Sequence, residues 1–218
     1  MSKKVKFKKL RLWLAYPMFF VYPFVAHMTD FSFFAGSFLM LLGLVVRFWA
    51  SGYISKSRSL AVCGPYAYMR NPLYLGNFIL GFGIIVIANN FWLSMYYFIA
   101  FTILYIGTIK EEQDGLVKKF GAPYETYMAK VPMFFPSLRP WRHAERKSFS
   151  LQQSFKNGEF IRIYGFLLLI VFFYLWKILF VDKEGLLPGH IVAVVVFVVF
   201  LFLLWFNIYI RRKSERVS

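Results

Sequence analysis

Cysteine is almost missing from this chain: its 218 residues contain one, Cys63. That excludes an internal disulfide and any multi-cysteine metal or iron–sulfur site. Histidine is nearly as scarce. His27, His143 and His190 lie far apart in sequence, so no metal site is expected. Acid is in short supply as well, with 10 Asp and Glu against 26 Lys and Arg. No internal repeat, low-complexity tract or lipidation motif is present to organise the chain. Charged residues make up only 17% of it, where soluble domains carry roughly 25%. Apolar residues take their place, at 59% of the total, with aromatics alone at 22%. They come in unbroken blocks of bilayer-spanning length, which a water-soluble surface has no means to hide. Because the blocks are continuous and not alternating, they exclude a transmembrane barrel. The pattern predicts an all-α, polytopic transmembrane helical bundle. A formal charge of +16 then points to anionic membrane lipids as partners, with no nucleic acid expected.

The blocks predict about six spans. The first runs from Leu10 to about His27 with Pro17 and Pro23 inside it, and the second from Phe31 to about Tyr53. A short third span, about Leu73 to Ala88, turns at Asn89-Asn90 into a fourth, Phe91 to about Ile109. A polar stretch, Lys110 to Gly158, precedes a fifth span at about Phe160 to Val181 and a sixth at about Gly189 to Ile210. The expected organisation is a membrane core over 1–140, a basic linker over 141–159 and a two-span C-terminal hairpin over 160–218. Lys and Arg concentrate in the N-terminal tail, the loop after the second span, the long polar stretch and the C-terminal tail. An even span count puts all of these on one side, so both termini are expected in the cytoplasm. No small-residue cleavage site follows the N-terminal basic run. A bacterial inner membrane is therefore the expected location, or the endoplasmic reticulum in a eukaryote.

Two polar segments flank the short hairpin of spans three and four. One is Ser51–Gly76, the other Lys110–Pro136. The hairpin is short, so its two cytoplasmic ends must lie close together, and a site built from both segments at the membrane face follows naturally. In the first segment Gly64-Pro65 marks a turn. Pro72 suits the first turn of the third span, with Asn71 as its helix cap. A helix N-terminus presents free N–H groups to an anionic ligand group. Arg70 beside it offers a fork for a carboxylate, and Tyr66, Tyr68 and Tyr74 offer aromatic faces. In the second segment Glu111 and Glu112 are expected at the C-terminal end of the fourth span, where the helix dipole disfavours a carboxylate. That local conflict is a sign of function.

These residues resemble a family. Gly64-Pro65-Tyr66 followed by Arg70-Asn71-Pro72-Leu73-Tyr74-Leu75-Gly76 resembles the Arg-His-Pro-x-Tyr-x-Gly segment of the isoprenylcysteine carboxyl methyltransferases. Glu111-Glu112, Leu116, Phe120-Gly121, Tyr124, Tyr127 and Val131-Pro132 are similar to that family's second motif in order and spacing. Phospholipid methyltransferases of the same superfamily carry Asn where Asn71 stands. The resemblance covers roughly Gly43 to Pro136 and implies S-adenosylmethionine (SAM) as methyl donor, with a lipidic methyl acceptor arriving from the bilayer. It implies Arg70, Asn71 and Tyr74 as catalytic. The cofactor-binding set it implies is Gly64, Tyr66, Arg70, Asn71, Pro72, Tyr74, Gly76, Glu111 and Glu112. Both carboxylate O-methylation and amine N-methylation stay open. Asn71 leans toward the phospholipid type and the second motif toward the isoprenylcysteine type.

Outside these motifs, Arg47 is expected to snorkel or to meet a lipid phosphate or cofactor, and Lys177 to snorkel outward. Gly81-Phe82-Gly83 is expected to serve close helix packing. Cys63 is expected to pack, and His190 to sit at the interface. The last two spans would hold a homo-oligomer together, shape a lipid entrance or act as anchors. The rival functional reading is a non-catalytic membrane scaffold or lipid-binding member of the same fold. A transporter carries little weight, because neither repeat symmetry nor pore-lining acids are present.

Overall fold

The computed structural model describes residues 21–54, 59–141, 147–183 and 187–215. Most of the first expected span lies outside that set, as do Lys56, Arg58, Arg142, His143 and Arg146. Among the described residues all regular structure is helical. The chain divides between Ser154 and Phe155 into two compact units.

In the first unit a helical stretch at 21–25 leads to α1, Asp30–Ser51. Thr29 caps α1 reciprocally: its Oγ1 accepts from Ser32 N at 3.1 Å, and its own N–H donates to Ser32 Oγ at 2.9 Å. Asp30 in the first turn adds a favourable charge at the positive end of the helix. A single 3-10 turn, Gly64–Ala67, precedes α2, Pro72–Ala88, which opens on its proline. Asn89 ends α2 in the left-handed region at φ 48°, and Asn90 caps α3, Phe91–Phe120, by accepting from Leu93 N at 3.1 Å. Both amides also reach back. Asn89 Nδ2 donates to His27 O at 3.1 Å and Asn90 Nδ2 to Val25 O at 2.8 Å. The turn of the hairpin is thereby tied to the chain entering α1.

α1 and α2 pack antiparallel through facing glycines. A Cβ added at Gly36 would lie 2.5 Å from Gly83 O, and one at Gly43 would lie 2.9 Å from Gly76 O. Glycine lets the two backbones approach this closely, and in a membrane such contact is what drives helix association. The packing expected of Gly83 is present. The packing expected of Gly81 is present too, against Tyr97 of α3. Beyond α3, Gly121 turns the chain at φ 57° into α4, Ala122–Lys130. A short helix, α5, Leu151–Lys156, lies at the boundary between the units.

The second unit contains α6, Glu159–Trp176, a π-helical turn at Lys177–Val181, and α7, Pro188–Glu215. Tyr164 packs on Phe200, with ring centroids 5.9 Å apart. α1, α3, α6 with its π turn, and α7 up to Asn207 are long and apolar enough to cross a membrane; α2 is a shorter apolar helix. The chain is an integral membrane protein.

Several local expectations change. α3 has 30 residues, a length of about 45 Å against a hydrocarbon core of about 30 Å. It therefore runs on into water. Glu111 and Glu112 lie inside it, so the helix-end conflict expected there does not arise. Asn71 precedes α2 but makes no side-chain capping bond; its amide donates to Met133 O at 2.9 Å. Lys177 does not snorkel. It is buried, with Nζ 2.6 Å from Asp182 Oδ2. Arg47 is also buried, at 5% exposure, and does not reach the surface. His190 is buried and accepts from Leu187 N at 3.1 Å, which satisfies one donor at the start of α7.

Candidate active site

The two motif segments meet through the backbone. Arg70 N donates to Pro132 O at 2.8 Å, Ser137 N to Tyr68 O at 2.9 Å, and Trp141 N to Ala67 O at 2.9 Å. The Asn71 amide adds its bond to Met133 O. Residues 67–71 are thus laced to 132–141. Tyr127 of α4 clamps the same place from another side, its hydroxyl donating to Tyr66 O at 2.6 Å. Tyr124, Tyr127 and Val131 form a small buried core there, packed by Leu60, Val62, Leu116, Phe120 and Trp141. The second motif's tyrosines and valine are therefore structural: they hold α4 against the segment that carries Arg70.

The lacing encloses a cavity of about 480 Å³. α1 contributes Arg47, the 3-10 turn Tyr66, and the link to α2 Arg70 and Asn71. α2 contributes Tyr74 and Asn77, α3 Glu112 and Lys119, and α4 Tyr124 and Tyr127. Arg70 interacts with Tyr124 through a side-chain hydrogen bond, yet its buried Nε has no hydrogen-bond partner among the described residues. A buried charged donor left without a partner is costly, and here it belongs to a residue on a cavity wall. Burial raises the Tyr124 phenol above its usual range, opposed by the positive charge and hydrogen bond of Arg70. Burial raises Tyr127 as well. Both are neutral hydroxyls at physiological pH.

Of the residues expected in the site, Tyr66, Arg70, Asn71, Tyr74 and Glu112 line the cavity. Gly64, Pro72, Gly76 and Glu111 are not among its lining residues. Gly64 adopts φ 58° and lies under the ring of Tyr53. Pro72 is buried at the start of α2, and Gly76 is buried where α1 crosses α2. Glu111 is exposed on α3. Lys119 and Asn77 were not singled out from the sequence. Asn77 had a readable signal, being the lone amide in an apolar helix, three residues after Tyr74. Lys119 looks like any solvated lysine until α4 folds back beside it.

The Tyr127 clamp carries a prediction. Tyr127→Phe removes the donor to a buried carbonyl, an expected loss of about 1–3 kcal/mol of stability. Thermal denaturation in detergent checks it, and an unchanged midpoint would show that the hydroxyl does not hold the segment.

Residues 31–123 match the phospholipid methyltransferase family. The chain is 33% identical over 103 residues to a nickel-cobalt-cadmium resistance protein of Alcaligenes xylosoxydans xylosoxydans, covering 46% of this chain and 48% of that one. It is 31% identical over 103 residues to a cobalt-zinc-cadmium resistance protein of Cupriavidus metallidurans, covering 46% and 47%. To the protein-S-isoprenylcysteine O-methyltransferase of Schizosaccharomyces pombe it is 33% identical over 84 residues, covering 38% and 36%. The matches thus span about half or less of these relatives' length. No solved structure matches. The stretch 31–123, which holds both helices of the hairpin and most of the cavity lining, is thus similar to the phospholipid methyltransferase family and to protein-S-isoprenylcysteine O-methyltransferases.

Proposed function

We propose that the chain is a SAM-dependent methyltransferase acting on a lipidic or isoprenoid-like amphiphile. The observation that carries this reading is the cavity itself, where Tyr66, Arg70, Asn71, Tyr74 and Glu112 from both motif segments converge. Its volume of about 480 Å³ falls within the range of roughly 300–1,000 Å³ usual for small-molecule sites. The donor set suits SAM. The unpartnered Nε of Arg70 fits a carboxylate, Glu112 fits an ammonium or a ribose, and Tyr66 and Tyr74 offer faces for an adenine or a sulfonium. The cofactor, when bound, supplies a methyl group open to in-line displacement. The protein's part is to fix both reactants in line, which is where most of the acceleration of such a transfer arises. Asn71 has no basic nitrogen, and its amide is engaged with Met133 O, so its role is to position the segment that carries Arg70.

The charge pattern supports both termini in the cytoplasm and a bacterial inner membrane, or the endoplasmic reticulum in a eukaryote. Anionic lipids are the expected neighbours, and a homo-oligomer through α6 and α7 is consistent with their apolar surfaces. A second reading has one observation in its favour. Two relatives are named for metal resistance, not methyl transfer. In that reading the chain is a non-catalytic scaffold or lipid-binding member.

The deciding experiment transfers label from methyl-labelled SAM to total membrane lipid, with Glu112→Ala as control. A base-stable lipid product indicates N-methylation and a base-labile one a methyl ester. An unlabelled extract, together with no SAM-dependent stabilisation of the protein, would establish the second reading.

A further inference from the structure

The bonds that lace 67–71 to 132–141 pin the chain at Pro132, Ser137 and Trp141. The stretch between those pins is not free to fold back on itself, so its apolar side chains stay where the bonds leave them. Phe135 is 74% exposed, Leu138 is 100% exposed, and Met133 is exposed beside them. Apolar side chains clustered in this way mark a surface that meets something other than water. Phe134, half-buried, turns the other way. Its ring lies 5.9 Å from that of Phe78 on α2 and 6.3 Å from that of Phe101 on α3.

Those two ring contacts set the depth of the segment. Phe78 comes after Pro72 at the start of α2, about 9 Å further along the helix. Phe101 precedes Lys110, the first charge of α3, by about 13 Å of helix. Phe134 therefore lies level with the membrane-spanning part of α3, not with its extension into water. Phe78 also packs on Phe98, with ring centroids 6.1 Å apart. Phe98 is exposed along with Ile99, Ile103 and Ile106. The apolar surface of 133–138 is thus continuous with the exposed face of a spanning helix. Irregular backbone at such a depth must have its polar groups relieved. Pro132 and Pro136 have no N–H to satisfy. The carbonyls of Pro132 and Met133 accept from Arg70 N and the Asn71 amide. Arg139, exposed directly after Leu138, supplies a cation of the kind that interfacial segments extend to lipid phosphates.

We propose that residues 133–138 form a membrane-insertion segment. Phe135 and Leu138 enter the boundary between head groups and acyl chains in the leaflet on the cavity's side, and Arg139 meets the head groups. The partner of this surface is the bilayer. Unlike the spans, the segment enters and leaves by the same face. Its first two carbonyls hold the link that carries Arg70 and Asn71, so lipid seats one wall of the cavity from outside. The claim stands apart from the methyltransferase reading, since it needs neither cofactor nor methyl acceptor.

The test uses the full chain in phosphatidylcholine nanodiscs, which leave both membrane faces open to solutes. Cys63→Ser removes the one native thiol. Phe135→Cys and Leu138→Cys, made singly in that background, each carry an environment-sensitive fluorophore. Ile103→Cys on the exposed face of α3 is the lipid reference, and Glu125→Cys, exposed on α4, is the water reference. Two quenchers are compared: iodide in the buffer and phosphatidylcholine spin-labelled high on its acyl chain, near the depth of about 5–10 Å that interfacial apolar groups reach. Labels at 135 and 138 are expected to be quenched by the lipid as at 103, and to lose most of the iodide quenching seen at 125. Should Cys63→Ser not fold, the buried Cys63 is left in place and the unsubstituted chain, treated with the same dye, gives the background. Iodide quenching at either position equal to that at 125 overturns the proposal. So does shielding from both quenchers, which would mean that a second copy or another protein covers this face.

Discussion

Arg70→Ala is expected to weaken SAM binding by about ten- to a hundredfold, the usual effect of deleting a hydrogen-bonding charged group. The fold should survive. Arg70 is held in place by its backbone N–H to Pro132 O, which the substitution leaves intact. What disappears is the guanidinium, whose buried Nε has no partner among the described residues and which also bonds the Tyr124 hydroxyl. Arg70→Lys keeps the charge but not the fork, so it should fall between wild type and alanine. Glu112→Ala should weaken binding in the same direction, because Glu112 is the one acid among the described residues of the cavity wall. The readout is thermal stabilisation at a fixed SAM concentration. A ligand at about a hundred times its dissociation constant stabilises a protein by about 2.7 kcal/mol, and a hundredfold loss of affinity reduces that to about 0.4 kcal/mol. Full stabilisation in both alanine variants would move the cofactor site away from this cavity.

Much of this architecture is legible in the sequence, and the reasons are physical. Continuous apolar blocks leave helices as the only solution in lipid, so α1, α2, α3, α6 and α7 fall where the blocks do. Asn89-Asn90 is readable as a turn because few residues accept the left-handed backbone that Asn89 adopts. The meeting of the two motif segments follows from the shortness of their hairpin. Less legible is whatever depends on which way a side chain turns. Asn71 sits where a helix cap belongs, and a local rule assigns it that bond. The carbonyl of Met133, 62 residues away, wins the amide instead. Lys177 at a span's end looks like a snorkelling lysine, but Asp182 lies on the next turn and holds it inside. The end of α3 was misplaced because apolar character stops near Ile109 while the helix continues on Glu, Gln, Leu and Lys, all good helix formers. Gly76 is part of a motif that suggests a cofactor, yet what surrounds it is α1. A Cβ there would lie 2.4 Å from Arg47 Cγ and 3.0 Å from Gly43 O. A motif residue can thus serve a site by letting another residue approach it.

The glycines of α1 and α2 give the second large effect, and its sign differs by position. Gly36→Ala is expected to destabilise the protein by about 1–3 kcal/mol, the range for overpacking a close contact, and Gly36→Val by more. The reason is that the added carbon meets backbone. It would lie 2.5 Å from Gly83 O and 2.8 Å from Ile87 N, neither of which can rotate away, so the helices themselves must part. Gly115→Ala makes the opposing case. Gly115 is also inside a helix, but nothing among the described residues lies within 4 Å of an added Cβ. Only helix propensity operates there, and it favours alanine by up to about 1 kcal/mol. Thermal denaturation of the two variants in the same detergent should therefore move in opposite directions. Gly76→Ala adds a third arm. It should destabilise as Gly36→Ala does, because the added carbon would meet the Arg47 side chain and lie 3.0 Å from Gly43 O. Equal stability of Gly36→Ala and wild type would mean that α1 and α2 are not in backbone contact, and the inner wall of the cavity would then have to be drawn elsewhere.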